Sequence, residues 1–415
     1  MIERLTSLGG ALVLLGVAYL WCPKAARKDI KLRTVGGGLL LLLLMAVLVL
    51  KTPVSGLFSL ANGGVERMLG FTREGAKFVF GGLSIDQARF GFLFAFQVLP
   101  TILFFSALMS VLYYLGVMPW IVERGGRLLS RALRVSGAES FSTVADVFVG
   151  QTEAPLAVRP YLSRMTLSEL HACMVAGFAT TAGGVLAAYS AMLSGSVPGI
   201  AGHLIAASVM SAPASLVIAK LMLPERETPE TTGELRAAAG DESANLLDAV
   251  TRGTIDGVRL AVNVAAMLIV FLTFTALFDA VLSWAGALVG LDLSLSRILS
   301  WLFWPLSFAL GVPASDVSKV ATLLGQKTVF NEFVAYSSMA ENLAKDPTWL
   351  TDRGRLITSY ALCGFANFGS IGIQIGGYAS LAPERRADLS LLGFRAMVGG
   401  LLTTCLVACV AAILL

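Results

Sequence analysis

Three carboxylates, Asp146, Glu153 and Glu332, stand in stretches of this chain that are otherwise apolar, and Gln151, Thr152, Asn331, Asn367 and Ser370 gather around them. A carboxylate at membrane depth costs roughly 2.5 to 3.5 kcal/mol on insertion scales, so such a residue faces a cavity, a partner or a ligand. The residue types suit recognition. An amide offers a carbonyl and an NH2 to the edge of a base or another amide, and a carboxylate accepts two hydroxyl hydrogens of a sugar. A small hard cation chooses carboxylate, hydroxyl and carbonyl oxygens, which Asp146, Thr180 and Thr181 supply. Paired carboxylates also serve acid-base chemistry, but no nucleophile is set beside a base, and the chain does not read as an enzyme. Simpler roles compete with these. Hydroxyls such as Thr180 and Ser370 bond a carbonyl one turn back. The glutamates pair with Lys327 or an arginine, and Lys327 snorkels from a hairpin end.

The elements that must position these groups lie in a membrane. Of 415 residues, 56% are hydrophobic and 14% charged, and the mean hydropathy is +0.77, too apolar for an ordinary soluble domain. The apolar runs are long and uninterrupted, which predicts spanning helices and not a barrel. The net charge of +4 is modest and its basic residues cluster in short connections, with no nucleic-acid footprint. Cys22, Cys173, Cys363, Cys405 and Cys409 have no ligand-like spacing and read as packing residues. His171 and His203 are isolated and read as structural.

Leu8–Cys22 and Val35–Leu50 read as the first two spans. The loop between them carries Lys24, Arg27, Lys28, Lys31 and Arg33 against Asp29, which puts it in the cytoplasm and both termini outside. Lys51–Arg89 reads as an interfacial helix. A third span over Gly91–Met118 is interrupted by Pro100, and Pro119–Ser140 is a basic surface helix with Arg124, Arg127, Arg131 and Arg134 at helical spacing. Phe141–Leu162 is too broken to span and reads as a re-entrant hairpin. Glu169–Leu193 and Gly202–Leu223 are the next spans. Pro224–Arg252 is a hydrophilic linker with a solvated helix, followed by a span over Ile255–Trp284 and an aromatic-rich interfacial helix over Leu295–Leu310.

The second half repeats the first. Gly325 to Phe333 is a second polar interruption with a glutamate, followed by a broken span, Leu356–Leu381, and a final span, Leu391–Leu415. Gly-Phe-Ala recurs at Gly177 and Gly364, 187 residues apart, each time downstream of a Gly-Gln and a Glu. The fold expected is all-α and polytopic, with eight transmembrane helices plus two re-entrant hairpins entering from opposite sides as inverted repeats. Such transporters bind substrate and ion near the midplane. The chain divides into 1–118 (scaffold spans), 119–223 (first transport repeat), 224–310 (linker, scaffold span and interfacial helix) and 311–415 (second transport repeat). A passive channel is the alternative, but channels favour a continuous polar stripe or charged ring.

Several blocks, in order, resemble the concentrative nucleoside transporter family in its short bacterial form: Val98 to Leu108, Gly150 to Leu156, Ser211 to Ala214, Asn331 to Tyr336 and Gly364 to Phe368. The resemblance implies a homotrimer in the bacterial inner membrane, an elevator mechanism, and nucleoside import driven by a sodium or proton gradient. It implies no cofactor beyond the coupling ion. Residue by residue, it implies nucleobase contacts from Gln151, Thr152, Glu153, Val185 and Phe365, and ribose contacts from Glu332, Asn367 and Ser370. It also implies sodium at Asp146, Val149 (through its carbonyl), Thr180 and Thr181. Sodium-coupled bacterial members carry asparagine where Asp146 stands, so this acid either binds sodium or carries a proton. Gly369 also stands where a serine is common.

Overall fold

A computed structural model of the chain describes residues 2–52, 55–86, 89, 93–231, 243–288, 290–291 and 293–415. Among them every regular element is helical, as hydrocarbon requires of a backbone that cannot reach water. In chain order the first half comprises α1 (Ile2–Leu20), α2 (Leu32–Lys51), α3 (Ser55–Phe80), α4 (Leu99–Tyr114) and α5 (Val117–Leu133). It continues with α6 (Gly137–Asp146), α7 (Leu167–Ala179), α8 (Gly183–Leu193) and α9 (Ile200–Met222). The second half comprises α10 (Leu246–Leu288), α11 (Leu295–Ala309), α12 (Val317–Val329) and α13 (Glu332–Lys345). It ends with α14 (Asp352–Leu362), α15 (Phe368–Leu381) and α16 (Arg386–Leu414).

Among the described residues seven stretches are long and apolar enough to cross a membrane: α1, α2, Phe94–Tyr114, Leu167–Leu193, α9, α10 and Pro383–Leu414. The eighth crossing is the interrupted pair α14 and α15. Arg4 Nη2 donates to the Leu415 carbonyl at 2.9 Å, so the first and last helices begin and end together, as an even number of crossings requires.

The two hairpins enter from opposite ends. At the Ile2 end of α1, Ser7 Oγ donates to the Leu310 carbonyl at 2.9 Å and Gly311 packs on Glu3 and Ser7, so α12 starts there. At the Leu20 end, Asp29 pairs with Arg226 at 3.1 Å and Thr34 donates to the Leu133 carbonyl at 3.0 Å. There α5 ends and α6 begins. The basic loop, the base of the first hairpin and the start of the linker therefore share one face, the one whose charge reads as cytoplasmic.

Several boundaries differ from the sequence reading for local reasons. The start proposed for the third span at Gly91 lies outside the described residues; the expected interruption at Pro100 is there, since a short helix over Phe94–Gln97 ends at Val98 and α4 restarts with Pro100 in its first turn, where a helix's first amides need no partner. The solvated helix after the linker, of which 232–242 lies outside the described residues, is continuous with the following span. The resulting α10 has 43 residues, about 64 Å at 1.5 Å per residue, roughly twice the hydrocarbon thickness. The first hairpin starts at Gly137 instead of Phe141. Two capping boxes, Ser136 with Glu139 and Thr166 with Glu169, fix the starts of α6 and α7.

Helix α10 packs on α4 through small residues. A Cβ on Gly253 would lie 2.7 Å from the Ala107 Cα, and one on Gly257 would lie 2.8 Å from the Leu103 Cα, so only glycine permits this approach. Elsewhere α1 lies on α16 and α2 on α9, and α9 and α16 in turn pack against the broken spans.

Candidate functional site

The first hairpin turns after Asp146. Gly150 has φ +94°, a conformation that penalises any Cβ, and a Cβ there would come within 2.8 Å of the Ala182 Cβ. The tip is thus pressed into the gap between α7 and α8. Pro155 opens a tight 3-10 segment, Ala154–Arg164, which carries the chain back out. Gln151 turns inward and is buried, whereas Thr152 and Glu153 are exposed. Among the described residues Glu153 has no side-chain hydrogen bond; its electrostatic neighbours are Tyr113, in the last turn of α4, and Asp256 of α10.

The second hairpin bends later than the Gly-Gln pair suggests. Helix α12 runs through Gly325 to Val329 because Gly325 is a packing residue, where a Cβ would lie 2.6 Å from the Leu299 Cβ of α11. The bend falls at Phe330. Asn331 then caps α13, accepting from the Val334 amide at 2.9 Å, and places Glu332 in the first turn, where the helix dipole favours a carboxylate.

The broken spans complete the site. Asn367 caps α15, accepting from the Ser370 amide at 2.8 Å, while its Nδ2 donates to Glu332 Oε2 at 3.0 Å. Tyr189 of α8 donates from its hydroxyl to Glu332 Oε1 at 3.0 Å. Gln151 Nε2 donates to Ser370 Oγ at 3.2 Å. Gln374 Nε2 donates both to Gln151 Oε1 and to the Met174 carbonyl, each at 3.1 Å. A single buried chain of polar contacts therefore joins the first hairpin, both broken spans and the second hairpin.

Of the residues expected at the substrate, the structure brings Gln151, Glu332, Asn367 and Ser370 into this chain. Val185 is buried in the first turn of α8, and Phe365 is half-buried in the second break, both against the apolar core. Thr152 packs on Gly377 of α15. Glu153 stands apart, toward α4 and α10. Ser370 does not bond back to a carbonyl; its hydroxyl receives Gln151. Two participants carried no signal in sequence: Tyr189 looks like one more aromatic in an apolar run, and Gln374 is a lone amide in α15.

Asp146 is fully buried, and among the described residues neither carboxylate oxygen has a hydrogen-bond partner. Thr180 Oγ1 donates to the Ala176 carbonyl at 2.9 Å, the local bond anticipated for it, which leaves its oxygen lone pairs to accept. Thr181 Oγ1 lies 3.4 Å from Cys363 Sγ. Val149 is half-buried on the tip, its amide bonded to the Ala145 carbonyl at 3.1 Å. A buried carboxylate with no protein partner is a group that a hard cation would suit. Among the described residues no three His, Cys, Asp or Glu side chains form a metal-binding group.

The two breaks also touch. Gly364, φ +138°, leaves no room for a side chain: a Cβ would lie 2.9 Å from the Ala179 carbonyl carbon and oxygen. Lys327 does not snorkel. It is fully buried, and Nζ donates to the Ala361 carbonyl at 2.8 Å and to Thr404 Oγ1 at 3.0 Å. His203 lies 3.1 Å from the Tyr360 hydroxyl, and all five cysteines are free and buried.

Three sequence families match in chain order. The Na+ dependent nucleoside transporter N-terminus covers residues 9–83, a gate described as nucleoside recognition covers 95–196, and the Na+ dependent nucleoside transporter C-terminus covers 203–412. An uncharacterized transporter of Haemophilus influenzae is 43% identical over 411 residues, 98% of this chain and 97% of its own. The chain belongs to the Na+-dependent nucleoside transporter family. Mouse solute carrier family 28 member 3 is 42% identical over 427 residues, 99% of this chain, and rat sodium/nucleoside cotransporter 1 is 41% identical over 428. The chain spans 59% of the mouse protein's length and 64% of the rat protein's.

Among solved structures, CNTnw in an inward-facing substrate-bound state superposes with a TM-score of 0.91 at 41% identity, covering 99% of this chain and 98% of that one. A CNTnw variant in an outward-facing state gives 0.93 at 41% identity over 100% of this chain and 98% of its own. The family is one of multi-pass membrane transporters, not enzymes, and this chain has its all-helical fold.

Proposed function

We propose that the protein is a secondary active symporter that imports nucleosides across a bacterial inner membrane, down a sodium gradient. The observation that carries this reading is the buried polar chain from Gln374 and Gln151 through Ser370 and Asn367 to Glu332 and Tyr189. It offers amides for a base edge and a doubly accepting carboxylate for ribose hydroxyls, and its members come from all four interrupted segments. Without substrate these groups satisfy one another; a nucleoside would exchange those bonds for its own. Ribose falls to Glu332, Asn367 and Ser370. The base falls to Gln151 with Val185 and Phe365 beside it, and to Thr152 and Glu153 once the tip closes.

Sodium is the proposed coupling ion, held by Asp146, the Val149 carbonyl, Thr180 and Thr181. A second reading, a proton carried by Asp146, is favoured by the absence of any partner for either of its oxygens. The cycle is proposed to be an elevator within a homotrimer, with both termini outside. The contact of α4 with α10 supports a scaffold built on those helices and α3. The packing of α1 on α16 and of α2 on α9 supports a moving body that includes the first two spans, instead of a scaffold running to residue 118.

Uptake of labelled uridine and adenosine into proteoliposomes, with imposed sodium or proton gradients, tests the proposal. Saturable, gradient-stimulated uptake with counterflow is expected. If no nucleoside accumulates under either gradient, the proposal fails.

A further inference from the structure

We propose that Lys327 is a tethered cation: a fixed ammonium that does, in the second repeat, the work of a mobile coupling ion in the first. This rests on the reading of the protein as a cation-coupled carrier. Lysine holds a compact, strongly hydrated charge, and burying it fully at membrane depth demands strong acceptors. Here the acceptors are the Ala361 carbonyl at 2.8 Å and the Thr404 hydroxyl at 3.0 Å. Ala361 lies in the last turn of α14, which stops at Leu362, so its carbonyl belongs to the helix end that has lost its amide partners and carries the negative pole of the dipole. A cation belongs at such an end.

The repeat shows what the lysine replaces. Ala361 stands three residues before the glycine of Gly364-Phe365-Ala366, and Met174 stands three before that of Gly177-Phe178-Ala179. In the first repeat the carbonyl at the matching sequence position, that of Met174, lies inside α7 and not at its end, and it receives a neutral amide, Gln374, at 3.1 Å. Nearby stands a carboxyl group with no hydrogen-bond partner among the described residues, Asp146, whose Oδ1 lies 3.3 Å from where a Cβ on Gly177 would stand. That arrangement is complete only with a cation from outside. In the second repeat the group on the carbonyl is itself the cation, and the Glu332 carboxylate lies in its field. Among the described residues no ion pair joins Lys327 to Glu332, whose oxygens are already bonded to Tyr189 and Asn367. The ammonium thus offsets the Glu332 charge without competing for the face that meets the ribose, and one mobile ion suffices where an exact repeat would take two.

A neutral clamp would explain the same two hydrogen bonds, so the test must separate charge from bonding. Lys327→Gln keeps an NH2 donor and drops the charge; Lys327→Ala leaves a cavity the size of propylammonium. Uptake, sodium dependence and thermal midpoint are measured for both variants and for the unsubstituted protein, with propylammonium chloride or with 1-propanol as the uncharged control. The unsubstituted protein is expected to ignore both additives. Lys327→Gln should lose about tenfold or more in uptake and show a sodium Hill coefficient rising from about one toward two. Lys327→Ala should be stabilised and partly reactivated by propylammonium and not by propanol. Uptake by Lys327→Gln within about twofold of the unsubstituted protein, at an unchanged ion-to-nucleoside ratio, would reduce Lys327 to a clamp and overturn the proposal. So would a folded Lys327→Ala that neither additive affects. If the Ala variant does not fold, the Gln comparison decides alone. Should the unsubstituted protein transport no nucleoside, the transport reading falls, and the amine-specific thermal shift still decides whether a cation is required at this position.

Discussion

The two repeats solve the same local problem, a helix interrupted inside the membrane, with opposite chemistry. In the first, the hairpin turns on a left-handed glycine, Gly150, and leaves Asp146 buried with both oxygens unpartnered. In the second, the hairpin turns without a glycine, Asn331 caps the returning helix, and each Glu332 oxygen already holds a donor. The first repeat is therefore unfinished without a visitor and the second is nearly self-sufficient. The difference teaches where a driving ion can act: only the half with an unmet carboxylate gains differential stabilisation from one.

That comparison breaks most readily at Glu332. Bonds to a charged acceptor contribute about 1.5 to 3 kcal/mol each, so Glu332→Gln, which keeps one acceptor, should lower uridine kcat/KM by about 10- to 100-fold. Unchanged affinity and transport would mean that the second repeat's carboxylate is architectural. Next comes Asp146→Asn, expected to lower gradient-driven uptake about tenfold by removing the one formal charge on the ion. Assayed in sodium and in proton gradients, it also discriminates the ion: acid-driven uptake that survives the substitution rules out Asp146 as a proton carrier.

Gly364→Ala tests the joint between the repeats. A methyl would sit 2.9 Å from the Ala179 carbonyl at a φ of +138°, and destabilisation of about 1 to 3 kcal/mol is expected, read as a drop in thermal midpoint in detergent. Gln151→Leu removes one neutral hydrogen bond to Ser370 and one from Gln374, and should weaken binding about five- to tenfold, with a shift in preference among nucleobases. Equal loss for every nucleoside would make Gln151 a strut and not a reader. Gly369→Ser adds a hydroxyl on a Cβ that would stand 3.3 Å from Asn367 Oδ1. Its effect should stay within about twofold, seen as a small change in uridine KM.

Much of this was legible in the chain. Polar side chains stranded in apolar runs marked both hairpins, and the recurrence of Gly-Phe-Ala marked both breaks, because membrane burial makes every such residue conspicuous. Other features were hidden for identifiable reasons. Gly325 was read as part of the bend, yet it packs on Leu299; a turn glycine and a packing glycine look alike in one dimension. Asp248 and Arg252 make the start of α10 look like a separate solvated helix, whereas the helix runs unbroken into the following span. Tyr189 meets Glu332 across 143 residues, and nothing in an apolar run announces where its one hydroxyl will go. Lys327 looks like a snorkelling lysine because one acceptor, a carbonyl freed by a break, is not a side chain, and the other, the Thr404 hydroxyl, lies 77 residues away.

The contact of Gly364 with Ala179 works like the rivet of a pair of scissors. Helices held apart by side chains slide as rotamers change, but two backbones in touch leave only rotation about the point of touch. Blades that share a rivet share an angle. Whatever straightens one interrupted span would then turn the other, so the proposed substrate side and the proposed ion side would be geared together where no side chain intervenes, the reach of each hairpin tip set by the length of its arm.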